Sequence, residues 1–309
     1  MRWTSRSIHL LGGAGIGAML LLAACSSDST SPGSAELSAA AAADAGAASE
    51  DEIEQATESF TVQGALDPAA TSFTAAGAPA ARSPAFSSSF LQNCASISSV
   101  TDSDDDGAPD EATFTFALPA CHFENFRGGT LDLTGTITVS DPTPTAADFA
   151  WHAQLADFTF KATNTQLETF TAVRNGTRDL TGNAAGLTLA NNITTVRTAS
   201  DHPSVQVTHN LQLNFTPAGP LTQGDPLPSG TITSAGTLTF VRGGDSRTFT
   251  VTTPTPLQYD ATCSGPRRAR IKSGEVRWTL PSGAYVSVVW TACGTRPTRT
   301  FVEADRLTA

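Results

Sequence analysis

From Thr101 to Glu111 the chain reads Thr-Asp-Ser-Asp-Asp-Asp-Gly-Ala-Pro-Asp-Glu, and six of those eleven side chains are carboxylates. Alternate aspartates converge when the backbone curls, and Gly107 permits the sharp turn that the curl needs. A hard divalent cation, which takes several oxygen ligands, is the chemistry such a loop serves. Elsewhere the reactive side chains are scattered. His209 stands in an apolar row, His152 follows Trp151 in a candidate strand, His202 precedes Pro203, and His122 follows Cys121. Gly244-Asp245-Ser246 lies in a candidate turn and lacks the rest of a serine-hydrolase signature. There is no G-x-S-x-G elbow and no phosphate-cradling glycine loop, so catalysis finds little support.

The order Asp-x-Asp-x-Asp-Gly-x-x-Asp over 102–110 resembles the calcium loops of thrombospondin type 3 and EF-hand-like repeats. That resemblance implies Asp102, Asp104 and Asp106 as ligands, the Ala108 carbonyl as another, and Asp110 binding directly or through water. The pattern departs at the twelfth position, where an EF-hand loop has a bidentate Glu and this chain has Thr113; Glu111 stands nearby. One copy exists, without evident flanking helices. The cation expected is structural Ca²⁺, bound in the weak extracellular range of about 10⁻⁴–10⁻³ M. The bland alternative is a solvated acidic hairpin tip.

Beyond the N-terminal region lie four cysteines, Cys94, Cys121, Cys263 and Cys293, none spaced as C-x-x-C. An even number in an oxidising compartment predicts disulfides, with three possible connectivities. Cys94 and Cys121 are centred between Gly107 and Ala108, so strands over 93–100 and 111–118 would pair with the acidic loop at their tip. Such a register brings the two cysteines to a bridging Cα separation of about 5.5 Å. Cys263–Cys293 follows by elimination, and obliges the chain to bend past the end of a strand at Val276–Leu280. Arg267, Arg268, Arg270 and Lys272 form the one basic cluster, in a turn between those cysteines. It reads as a charged tip that discourages edge-to-edge association, over contact with lipid phosphates or an acidic partner.

The elements that must position these residues are strands. Val205, Val207, His209, Leu211, Leu213 and Phe215 alternate with polar residues, as do Leu131, Leu133, Ile137 and Val139. One apolar and one wet face is the pattern of an antiparallel strand. Trp151 and Leu155 lie in one phase and Phe158 and Phe160 in the other, which predicts a β-bulge between them. Asn175-Gly176, Gly243-Gly244-Asp245 and Ser282-Gly283 carry turn signals. The fold expected over 91–309 is all-β, an antiparallel sandwich or partly open barrel of about eleven to thirteen strands. Aromatics are 7% of the chain and form no girdle pattern, which argues against a membrane barrel.

At the N-terminus, Arg2 and Arg6 precede an apolar run from Ile8 to Leu22, about 15 residues and short for a membrane span. It closes on Leu22-Ala23-Ala24-Cys25. This resembles the lipobox of bacterial lipoproteins, which implies a signal peptide over 1–24, cleavage before Cys25, and acyl chains such as palmitate on the new terminus. Acyl chains anchor rather than span, each buried CH₂ contributing about 0.8 kcal/mol. Ser26, in place of the Asp that retains many Gram-negative lipoproteins at the inner membrane, points to the outer membrane. Residues 25–90 are rich in Ala, Ser, Gly, Thr and Pro and read as a disordered tether. Within it Ala35–Ser59 has helical composition, but Leu37 and Ile53 are its only large apolar residues. Flexible-coil scaling gives such a tether a reach of roughly 45 Å.

All 29 acidic residues follow the leader and two of the 18 basic ones lie within it, leaving 16 against 29, a net −13. That balance argues against a nucleic-acid partner. The reading reached from sequence is an outer-membrane-anchored lipoprotein with a non-catalytic β domain that binds or scaffolds. Its partners would be the membrane through the anchor, and an envelope protein or hydrophobic ligand. The alternatives are a carrier of lipid or another hydrophobic ligand and, without positive support, an envelope hydrolase or metalloenzyme.

Overall fold

The computed structural model describes residues 39–60, 94–98, 101–124, 129–200, 202–223, 225–263 and 270–304. All belong to the compact unit Leu37–Ala309. Cys25, Arg267 and Arg268 lie outside the described residues. Among the described residues no helix is long and apolar enough to cross a membrane.

Among the described residues the alternating segments form thirteen strands. β1 (Ser96–Ile97), β2 (Glu111–Phe116), β3 (His122–Glu124) and β4 (Thr130–Ser140) make one edge. β5 (Trp151–Thr163), β6 (Thr169–Asn183), β7 (Gly186–Ala199), β8 (His202–Pro217), β9 (Gly230–Arg242) and β10 (Asp245–Tyr259) are long and central. β11 (Ile271–Thr279), β12 (Tyr285–Trp290) and β13 (Thr298–Val302) complete the other edge. They form one antiparallel sheet in the order β1-β2-β4-β5 and onward to β13, with β3 also on β4. The protein is all-β, and its strands form one open sheet rather than the two packed sheets of a sandwich. The alternating rows face inward as expected: Leu133, Ile137 and Val139 on β4, and Val207, His209, Leu211, Leu213 and Phe215 on β8, are buried.

One departure reshapes the picture. Residues 39–58, read from sequence as part of the tether, form helix α1 (Ala39–Glu58), which packs against β8, β9, β12 and β13. Ala42, Ala45, Ala48, Ile53, Ala56 and Phe60 join the core, and Phe60 meets the Phe215 ring at 5.6 Å between centroids. Large apolar side chains are few because the sheet supplies them, and an alanine-rich helix is thin enough to enter.

The helix also reports curvature. Glu50 pairs with Arg299 of β13, while Glu52, about 3 Å along the axis, pairs with Arg174 of β6. In a flat sheet β6 and β13 would stand seven strand spacings apart, about 34 Å. Only a sheet rolled around α1 brings both to one helix. Two devices let it bend. The bulge expected in β5 is present, with the register slipping between Leu155 and Phe158 and Asp157 at φ 48°. Asn175-Gly176, read as a turn, instead lies mid-strand in β6. Asn175 accepts from the Asp157 N–H at 2.7 Å, so its amide caps the bulge next door. Gly176 has φ 137°, and a Cβ there would stand 2.0 Å from the Asn192 carbonyl oxygen.

Gly176→Ala should therefore lower stability in chemical denaturation by about 1–3 kcal/mol. Gly219→Ala, where a Cβ meets nothing within 4 Å, is the control and should change little.

Candidate functional site

The acidic loop lies between β1 and β2 and curls as its sequence dictates. Asp102 accepts from the N–H groups of Asp106 (3.3 Å) and Gly107 (3.0 Å), with Asp105 at φ 59° and Gly107 at φ 93°. The curl brings Asp102, Asp104 and Asp106 together, each offering an oxygen within 4.8 Å of the others, a group able to hold a metal ion. Both Asp104 oxygens are sealed from solvent. Shielding, then the charges of Asp106, Asp141 and Asp102, push its carboxyl above the usual carboxylate range.

Of the expected carboxylate ligands, Asp110 stands apart from this group. Asp110 accepts at both oxygens from Ser103, N–H to Oδ1 at 2.9 Å and hydroxyl to Oδ2 at 2.6 Å. Those bonds hold its carboxyl below the usual range. Ala108 donates its N–H to Asp106 Oδ1 at 2.8 Å. Sequence reasoning missed two others. Asp141 and Asp148, in the loop between β4 and β5, form a second group with Asp106, again within 4.8 Å. The signal was indirect: β4 pairs with β2 so that Ser140 faces Glu111, which lays the next residue beside the acidic loop.

The Cys94–Cys121 bridge is present, with Cα atoms 4.9 Å apart. The hairpin register behind it differs from expectation. Ser96 lies opposite Thr115, where equal spacing would have set it opposite Pro119. β2 and β3 both run along one edge of β4, and the turn from Ala117 to Cys121 between them carries Cys121 to its partner. Cys263–Cys293 is also present, joining the chain beyond β10 to the chain beyond β12. It passes the start of β11, the bend anticipated. Of the basic cluster, Arg270 donates to the Ala261 carbonyl and Lys272 lies 3.9 Å from Asp260.

A second polar cluster is internal. Glu52 of α1 accepts from Arg174, from Arg178 at 3.0 Å and from Asn191 at 3.0 Å. Arg178 also donates to Asn191 Oδ1 and Ser59 Oγ, both at 2.8 Å. Burial pushes the Glu52 carboxyl up, but the two guanidinium groups, with His209 and Asn191, outweigh it and hold the group well below the usual range. His209 sits in the core as expected, though neither ring nitrogen has a hydrogen-bond partner. Burial is the main cause that lowers its pKa to about 4; Glu52 opposes the shift and Arg197, Arg174 and Arg178 add to it. His122 and His152 each bond a neighbouring strand's aspartate, Asp132 at 2.5 Å and Asp179 at 2.6 Å. His202 opens β8 opposite Ala199. Gly243-Gly244 forms the β9–β10 turn, with Asp245 paired to Arg242.

Glu52→Gln should cost about 3–5 kcal/mol in chemical denaturation, because two buried cations lose their counter-charge. In pH dependence, Glu52 contributes stability that is fully present above its unfolded pKa near 4.5 and is lost progressively as pH falls from there toward its depressed folded value. His209 stays neutral when folded down to about 4, while the unfolded chain takes up its proton near 6.5. Stability should therefore fall between those values, by at most about 3 kcal/mol. His209→Leu should flatten that stretch of the curve.

Comparison with protein-family models, with curated proteins and with solved structures finds no match to this chain.

Proposed function

We propose that this protein is an outer-membrane lipoprotein, held by acyl chains on Cys25, whose β domain binds or scaffolds envelope components and catalyses nothing. Ca²⁺ serves it as a structural ion on the acidic loop. The observation that carries the reading is α1 inside the rolled sheet. A carrier needs apolar volume for its cargo, and here the inner face is spent on the chain's own helix. An enzyme of the histidine–carboxylate kind needs an imidazole that reaches solvent and substrate. His209, the histidine that lies near the internal carboxylate of Glu52, is sealed in the core. What remains for a partner is the outer face and the loops. The acidic loop then has a mechanical purpose: a cation there neutralises clustered carboxylates and stiffens one end of the sheet.

Native mass spectrometry of the protein extracted from its own envelope tests the non-carrier reading. A bare mass, or one shifted by calcium alone, supports it; an added mass that dissociates as lipid overturns it in favour of a carrier. Cys25→Ser should move the protein from the membrane to the soluble fraction, and continued retention would sink the lipid anchor. Calcium should raise Tm of the wild type, with Asp106→Asn suppressing most of the rise.

A further inference from the structure

The acidic loop does not close on itself. Asp110, which would complete it, is held at both oxygens by Ser103. Asp106 turns the other way, accepting at Oδ2 from the N–H of Asp148 at 3.1 Å, across to the loop between β4 and β5. The same two loops are joined by the Asp141 N–H, which donates to the Pro109 carbonyl at 2.8 Å. Asp141 is 6% exposed. Its Oδ1 accepts from the Thr143 N–H at 2.8 Å, while its Oδ2, sealed from solvent, has no hydrogen-bond partner. Asp148 Oδ1 accepts from the Ala150 N–H and its Oδ2 from the Thr143 hydroxyl, both at 2.5 Å. Its carbonyl accepts from Gln223 at 2.6 Å, which fixes the loop from a third side.

Asp106, Asp141 and Asp148 each present an oxygen within 4.8 Å of the other two. Two oxygens on one calcium ion, at 2.3–2.6 Å from it, stand no more than about 5 Å apart. Among the described residues no Lys, Arg or His is ion-paired with any of the three. Three crowded carboxylates, one with a buried and unbonded oxygen, are the arrangement a hard cation relieves.

We infer that the cation site is built between the two loops, with Asp106, Asp141 and Asp148 holding a divalent ion of the calcium class that clamps the β4–β5 loop to the β1–β2 loop. This rests on the reading of the acidic loop as a calcium site and changes which residues make it. The clamp bridges residues more than 30 positions apart in sequence, so the ion fastens tertiary structure rather than one turn.

The test is a calcium titration of the full mature chain in detergent, read as the calcium concentration giving half of the Tm rise. Asp141→Asn and Asp110→Asn remove the same charge from opposite sides of the question. Asp141→Asn should raise that concentration tenfold or more, while Asp110→Asn shifts it less than threefold. The reverse pattern, with Asp110 essential and Asp141 dispensable, would place the ion in the single loop and overturn this inference while leaving the calcium reading intact. No calcium response in the wild type would remove both. Equal melting of Asp141→Asn and wild type in chelator establishes that the variant folds. Hydrogen exchange supplies a readout without mutation: calcium should slow amide exchange over 142–148 as well as 102–108, and slowing confined to 102–108 counts against the clamp.

Discussion

Two guanidinium groups on the inner face of β6 set the terms for the interior. Arg174 and Arg178 are buried there, and a charge held away from water is tolerable only when paired and hydrogen-bonded. Glu52 supplies the pairing and Asn191 and Ser59 complete the bonds. The helix cannot be exchanged for an apolar filler without stranding those cations. Nor can the sheet flatten, since Arg299 on the far edge meets the same helix through Glu50. Curvature, helix placement and the buried charges are thus one problem with one solution. Gly176, lying between the two arginines on β6, leaves its space to the bend.

The chain separates its charges by location. Glu50, Glu52 and Glu54 of the helix are spent internally, on Arg299, on Arg174 and Arg178, and on the Trp290 indole N–H. The aspartates at 102–106, 141 and 148 are gathered at the ends of β2 and β4, with no basic side chain ion-paired to them among the described residues. Internal pairs of this kind select one arrangement of helix and sheet. The unpaired acidic cluster is able to hold a metal ion, and its all-oxygen donor set suits hard cations. The disulfides reinforce the same division, since Cys94–Cys121 secures the edge that carries the acidic loop and Cys263–Cys293 secures the opposite one.

Much of the scaffold was legible in the residues. Alternation in rows such as Val207 to Phe215 reports a half-buried strand because side chains project to opposite faces with period two. The phase change after Leu155 announced a bulge for the same reason. The turn at Gly243-Gly244 also followed from local spacing, whereas the cysteine pairs were reached through a hairpin register that the structure shifts and through elimination. Asn175-Gly176 misled because its signal is local and its use is not: the asparagine caps a bulge in the neighbouring strand, and the glycine admits a backbone from the other side. The helix misled in a different way. An alanine-rich, acidic segment has the composition of a solvated tether, and nothing within it shows that a sheet far along the chain carries arginines waiting for its glutamates.

The sequence by itself determined the all-β class, the direction each strand faces and the presence of a loop able to gather carboxylates. All of these depend on periodicity or on neighbours close along the chain. Only the tertiary structure decided that the sheet rolls around α1, that Glu52 is an interior counter-ion, and that Asp141 and Asp148 join Asp106. Each of those is a meeting of residues from distant segments. Which segments meet is set by the register and curvature of the whole sheet, a collective property that no local pattern encodes.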